Sequence, residues 1–496
     1  MTDHFAITFK PHDHDLISAS TRSLRRMRHG RGKKHVGQQG QASWISSVIN
    51  LANTILGAGL LAMPSALSKM GIFLGIFVIA WAGCTAGFGL YLQARCAQYI
   101  DRGHVSFAAL SQLTYPNASI LFDAAIAIKC FGVAVSYLII IGDLMPGVVV
   151  GSVPSVSDIT FLVNREFWIT AFIVMPLSFL RRLDSLKYTS VIALFSIAYL
   201  VILVVAHYIK GDTLDARGTV RVLEWAGPVS ALTALPVIVF AYTCHQNMFS
   251  VLNEVVNNSH FHITTIIFAS IGGACALYVL TGATGYLSYG DNIKGNIVSM
   301  YPTAAATTVG RFAMVVLAMF SYPLQIHPCR DSIDACMKWR PSWRSRPQKT
   351  SLTRYSPVGN GAAKLRRDMS DMRFVILTTV LIVLSFITAM IVRSLNLVLA
   401  FVGSTGSTTI SFILPGLFYY KISDPKSAHY QRLVEHEHDE SGFVVGVEGG
   451  TSGDGGNRCD WRRGLLRNAA LFLATYGLLV MVTCLGISVF YGASGH

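Results

Sequence analysis

Apolar runs of about twenty residues recur along almost the whole chain, and they decide what it can fold into. They fall near residues 44–67, 72–99, 120–150, 167–181, 188–209, 228–252, 262–288, 306–326, 373–393, 396–420 and 466–491. Each run can cross a hydrocarbon core as a helix, which satisfies its own backbone where no water is available. The reading is an all-α polytopic membrane protein with eleven transmembrane helices, the fourth run being short with ill-defined limits. Composition agrees, with 52% hydrophobic and only 13% charged residues, against about 25% charged in an ordinary soluble domain. A net charge of +14 would suit nucleic acid, but the basic residues gather in a few loops between apolar runs, so membrane topology accounts for them and no nucleic-acid partner is expected.

Assigning loops alternately, one side receives the polar tail of residues 1–43 with Arg22, Arg25, Arg26, Arg28, Arg31, Lys33 and Lys34. It also receives Arg181, Arg182 and Lys187, and the loops that follow spans eight and ten. The other side holds only a scatter such as Lys69, Lys210, Arg217 and Lys294. The N-terminus is therefore expected in the cytosol and the short tail of residues 492–496 on the opposite, lumenal side. The tail brings no apolar core where a signal peptide would have one, so the first span is expected to stay uncleaved. The transporter domain is expected over 44–491, with flexible cytosolic loops at 338–367 and 421–463. The His12 to Asp15 mixture and the Glu435 to Glu440 stretch have no fixed geometry for a metal. Nine cysteines without a CxxC pair suggest neither a disulfide framework nor a zinc site, and nothing asks for a cofactor.

Two spans are poor recipes for a continuous helix. In the first, Asn50-Leu-Ala-Asn-Thr-Ile-Leu-Gly-Ala-Gly-Leu-Leu-Ala-Met-Pro64 places two Asn, a Thr, two Gly and a Pro in mid-run. Gly57 and Gly59 weaken the helix and let a ligand approach the backbone, whose freed N–H and C=O groups need a partner. A kinked span whose glycines only admit a neighbouring helix is the plainer alternative. In the sixth span, Leu235-Pro236 is followed by the polar patch Phe240-Ala-Tyr-Thr-Cys-His-Gln-Asn247. The two breaks open successive groups of five spans, and paired breaks at corresponding places point to an inverted-repeat transporter with its site near the midplane.

These two stretches, with Gly132-Val-Ala-Val-Ser-Tyr-Leu-Ile-Ile-Ile-Gly-Asp-Leu-Met-Pro146 between them, resemble the amino acid/auxin permease family. Within it they are most similar to fungal vacuolar amino-acid transporters related to sodium-coupled neutral amino-acid transporters. The resemblance covers about residues 44 to 491 and leaves out the tails and large loops. It implies a five-plus-five inverted-repeat (LeuT-like) fold with an amino acid held by the unwound parts of spans one and six. It further implies proton coupling, with export from the vacuole to the cytosol. By that resemblance Asn53, Thr54, Gly57, Ala58 and Gly59 contact the amino and carboxylate groups, while Tyr242, Thr243 and His245 line the facing side. Asn50 or Asn53 with Ser321 stand where sodium-coupled relatives hold a cation. Sodium-coupled import at the plasma membrane, or a sensor of the same fold, therefore stay open.

Ionisable residues inside spans are costly, so each is weighed. Asp143 near one end of span three and His245 at the second break are the candidates for proton coupling. Lys129 in span three reads as a snorkelling residue and Glu254 as a helix-end or gate charge. The spans show no spacing of metal ligands and no nucleophile with a base, which argues against an enzyme.

Overall fold

The first span breaks where its sequence is poorest in helix formers. In the computed structural model, Trp44–Ile55 and Ala58–Met70 are separate helices inclined at 55° to one another, with Leu56 and Gly57 between them. The sixth span divides likewise into Pro228–Ala241 and His245–Glu254, with Tyr242 to Cys244 unwound. Residues 40–100, 102–153, 160–171, 178–179, 187–338, 369–425 and 455–493 are described.

Among these residues nine helices are long and apolar enough to cross a membrane, and the bent pair of the first span makes ten. The span expected at 167–181 lies partly outside the described residues; Arg165–Ala171 forms its beginning. Most of the expected tail and of the two long loops also lies outside them. Two boundaries move. Span eight runs as one helix, Ala305–Lys338, past the end expected at 326, carrying Pro323 and Pro328 inside it. In the extension Arg330 is buried, its guanidinium 4.0 Å from the Phe374 ring centroid and donating to Thr378 at 3.1 Å. The last span begins at Gly455, so its helix takes up the final residues of the loop expected over 421–463.

Spans three and eight make the longest packed seam. Span three, Ser119–Ser152, is almost wholly buried, because small residues such as Gly132, Ala134 and Ser136 let its neighbours close on it. Span ten departs from regular geometry. Between Leu395–Val402 and Leu414–Ile422 it winds as π-helix over Gly403–Ser407 and Thr409–Ile413, and Thr408 Oγ1 donates to the Gly403 carbonyl at 2.6 Å.

On the face where the chain enters span one, Ala42 pairs with Val255 as an isolated parallel bridge. The Ala42 N–H donates to Glu254 O at 2.9 Å, and the Val256 N–H donates to Ala42 O at 3.0 Å. Asn253 Oδ1 accepts from the N–H groups of Gly103 and Val105, which fastens the connection between spans two and three to the same place.

Candidate functional site between the two broken spans

The breaks lie side by side, and a residue of span seven joins them. The Tyr278 hydroxyl lies 2.7 Å from Ile55 O and 2.8 Å from Ala241 O, so one group serves carbonyls freed at both interruptions. Its ring meets that of Tyr242 edge-on, with centroids 5.2 Å apart. A second link runs from the same half of span one to the second half of span six, where Asn247 Nδ2 donates to Thr54 Oγ1 at 2.6 Å and Thr54 donates to Asn50 O at 3.0 Å.

The two glycines of the first break do different jobs. A Cβ on Gly59 would come within 2.7 Å of Ala241 Cβ, so this glycine is where span one touches span six. A Cβ on Gly57 would meet only the Tyr137 hydroxyl, 3.9 Å away. Gly57 therefore faces open space, beside the first N–H groups of a helix that begins at Ala58. Those donors, and the positive end of the resumed helix, suit a carboxylate. Beyond the space stands Tyr137 of span three, whose hydroxyl neighbours Ser321 in span eight. Asn53 Oδ1 and Gln246 Oε1 are buried with no hydrogen-bond partner among the described residues.

The other expected side chains take different surroundings. Tyr242 packs under Gly83 of span two, where a Cβ would come within 3.2 Å of its ring. Thr243 is buried and donates to Val239 O at 3.1 Å. His245 is 0% exposed; a Cβ on Gly89 would lie 2.8 Å from its Nε2 and 2.1 Å from Ser411 O, which puts the ring between spans two and ten. Asn247 lies two positions further on, a rotation of about 200° on a helix, so the face that meets Thr54 is not the one that carries His245. Asp143 accepts from Arg165 Nε at 3.0 Å, and Arg165 also reaches Ala389 O at 3.4 Å, which ties span three to the beginning of span four and to span nine.

Lys129 does not snorkel. It is 4% exposed, and its Nζ lies 3.4 Å from Gln325 Oε1 of span eight. The seam closes over its stem because Gly406 of span ten leaves room: a Cβ there would lie 2.6 Å from Lys129 Cβ. At the end of span five, His207 Nδ1 lies 2.9 Å from Asp212 Oδ1, and its ring stacks on Tyr301 with centroids 4.1 Å apart. Burial works against ionisation of Asp212, yet hydrogen bonds from His207 and Lys210 outweigh it and hold the carboxyl below its ordinary range.

Sequence reasoning missed Tyr278 and Tyr137 as site residues. Tyr137 stood inside the quoted motif of span three, but a tyrosine in an all-round apolar helix shows no preferred face. Span ten carried a signal that went unused, the polar run Gly-Ser-Thr-Gly-Ser-Thr-Thr over residues 403–409.

Residues 40–447 match the family model described as "Transmembrane amino acid transporter protein". The chain belongs to that family. This transmembrane amino acid transporter is 42% identical over 455 residues to vacuolar amino acid transporter 5 of Schizosaccharomyces pombe, covering 91% of this chain and 95% of that protein. It is 38% identical over 471 residues to vacuolar amino acid transporter 6 of Saccharomyces cerevisiae, covering 90% and 98%. Its fold is similar to the crystal structure of MhsT in complex with L-phenylalanine, with a TM-score of 0.54 at 12% identity, covering 90% of this chain and 100% of the other. The chain is thus a helical membrane transporter and not an enzyme, with an amino acid as substrate and the bilayer as solvent.

Proposed function

We propose that this transporter sits in the vacuolar membrane and exports amino acids from the lumen to the cytosol, driven by protons. Its relatives named above as vacuolar transporters support the compartment. The observation that carries the site is the juxtaposition of the two breaks around Gly57. There the backbone of Gly57, Ala58 and Gly59 receives the substrate carboxylate, Asn53 and Thr54 meet its polar groups, and Tyr137 closes the opposite wall. Tyr242 and His245 support the second break from the side of spans two and ten, and Thr243 from within span six.

The N-terminal tail of residues 1–43 and the loops at 338–367 and 421–463 face the cytosol in this reading, because they gather most of the basic residues. His245 and Asp143 remain coupling residues to be tested, and Asn50, Asn53 and Ser321 a candidate cation site. Vacuolar vesicles preloaded with labelled amino acids, with and without an imposed inside-acid pH gradient and with and without sodium, test the whole reading. Release that follows the pH gradient alone supports it. Dependence on sodium would move the protein to the importer class, and binding without flux would make it a sensor.

A further inference from the structure

We propose that the side-chain amine of Lys129 is the group that carries the coupled proton through the transport cycle. The inference rests on the reading of the chain as a proton-coupled carrier and assigns that role to a residue outside the two breaks.

Two rungs of the seam between spans three and eight link the candidate site to Lys129. In the upper rung Tyr137 and Ser321 face each other across the wall of the candidate site. The lower rung is Lys129 with Gln325. Gln325 follows Ser321 by four residues, about one helical turn, and Lys129 precedes Tyr137 by eight, about two turns, so both rungs lie along one seam. An occupant of the site therefore presses on the structure that houses the amine.

An ammonium at this depth has three donors to satisfy. It finds one neutral acceptor at 3.4 Å and no carboxylate among the described residues. The titratable groups that face it are thiols, Cys130 on its own span and Cys244 at the break of span six. From span eight it meets the uncharged Gln325, with Cys329 donating to Ala127 O one turn away, and from span ten it meets Gly406. A fixed charge would need better company, whereas a group that is charged in one state of the carrier and neutral in another needs such a half-provided setting. Lysine suits the role because its amine gives up its proton readily when its surroundings change. The step is a proton transfer alone: Nζ takes one proton from water on one face and returns it to water on the other, and only an N–H bond is made and broken. The neighbouring break at Cys244 gives the amine a moving element against which its surroundings can change.

The test uses the full chain in liposomes that hold a pH-sensitive dye, with a labelled mixture of the common amino acids as probe. Two quantities are read, substrate-driven proton flux and exchange of labelled for unlabelled substrate at equal pH. Lys129→Met should lose the proton flux and keep exchange above that of empty vesicles. Lys129→Arg should also lack proton flux, since a guanidinium does not release its proton; a merely structural cation would be rescued by arginine. Wild-type proton flux in either variant overturns the proposal. Should both variants fail to insert, Gln325→Glu decides, because a carboxylate facing Nζ should move the pH profile of coupled flux upward by about one unit or more, and an unmoved profile overturns it. Exchange without proton flux in the wild type would overturn the coupled-carrier reading itself, which the variant series cannot mimic.

Discussion

Asn247 of span six donates a hydrogen bond of 2.6 Å to the hydroxyl of Thr54 in span one. It joins the first half of one broken span to the second half of the other, 193 residues apart in the chain. A side-chain hydrogen bond of this kind contributes about 1 kcal/mol net, and more when its loss leaves a buried partner unmade. Asn247→Ala and Thr54→Val should each lower thermal stability, and the double variant should lose less than the sum, with a coupling of about 0.5 kcal/mol or more. Strict additivity in detergent melting curves would show that the halves do not communicate through this contact.

Gly57 and Gly59 should part company on mutation. Gly57→Val adds bulk to open space opposite Tyr137, so the protein should reach its membrane in normal amount and lose transport. Gly59→Val drives a side chain into Ala241, so its first effect should be loss of folded protein. Membrane abundance and flux, measured together, separate the two, and the reverse pattern would displace the site from the first break.

Tyr278→Phe keeps the ring against Tyr242 but removes the hydroxyl shared by Ile55 O and Ala241 O. One hydroxyl hydrogen serves two acceptors, and leaving buried carbonyls unserved costs about 1–3 kcal/mol each. The variant should melt at clearly lower temperature, with transport reduced at all substrate concentrations. A wild-type melting temperature would mean that water or backbone adjustment satisfies the breaks without it.

The breaks themselves were legible because polar residues and glycines in mid-membrane have so few explanations. Asn53, Thr54 and Gly57 were singled out for that reason, and the chain does unwind at Leu56 and Gly57, with Asn53 and Thr54 in the last turn before the break. Which side chains turn toward the opening was not legible. Spans three and seven are largely apolar on every side, so no periodicity distinguishes the face of Tyr137 or Tyr278 from the rest. The fate of Lys129 hung on Gln325, 196 residues away, and on a glycine in span ten, neither of which a local pattern connects to it. The extension of span eight to Lys338 was hidden by two prolines and by Arg330, which finds an aromatic ring and a threonine in span nine.

The pair of His207 and Asp212 sets a pH expectation away from the site. The Asp212 carboxyl lies below its ordinary range when folded, so the stability it contributes is present above about pH 4, its unfolded value. That contribution is lost only as pH falls through the still lower folded value. Asp212→Asn should therefore destabilise the protein at pH 5 to 7, a range given roughly, and the difference from wild type should vanish in stronger acid. Melting curves across that range check the sign, and a penalty that grows with acidity would contradict it.

The bridge between Ala42 and Val255 turns two stubs of broken span into one yoke. The leading half of span one and the trailing half of span six are harnessed at their outer ends by backbone hydrogen bonds and at their inner ends by Asn247 and Thr54. The two stubs are thus tied at both ends into one body, and the backbone of Ala42, two residues before the first span, is what fastens it on this face.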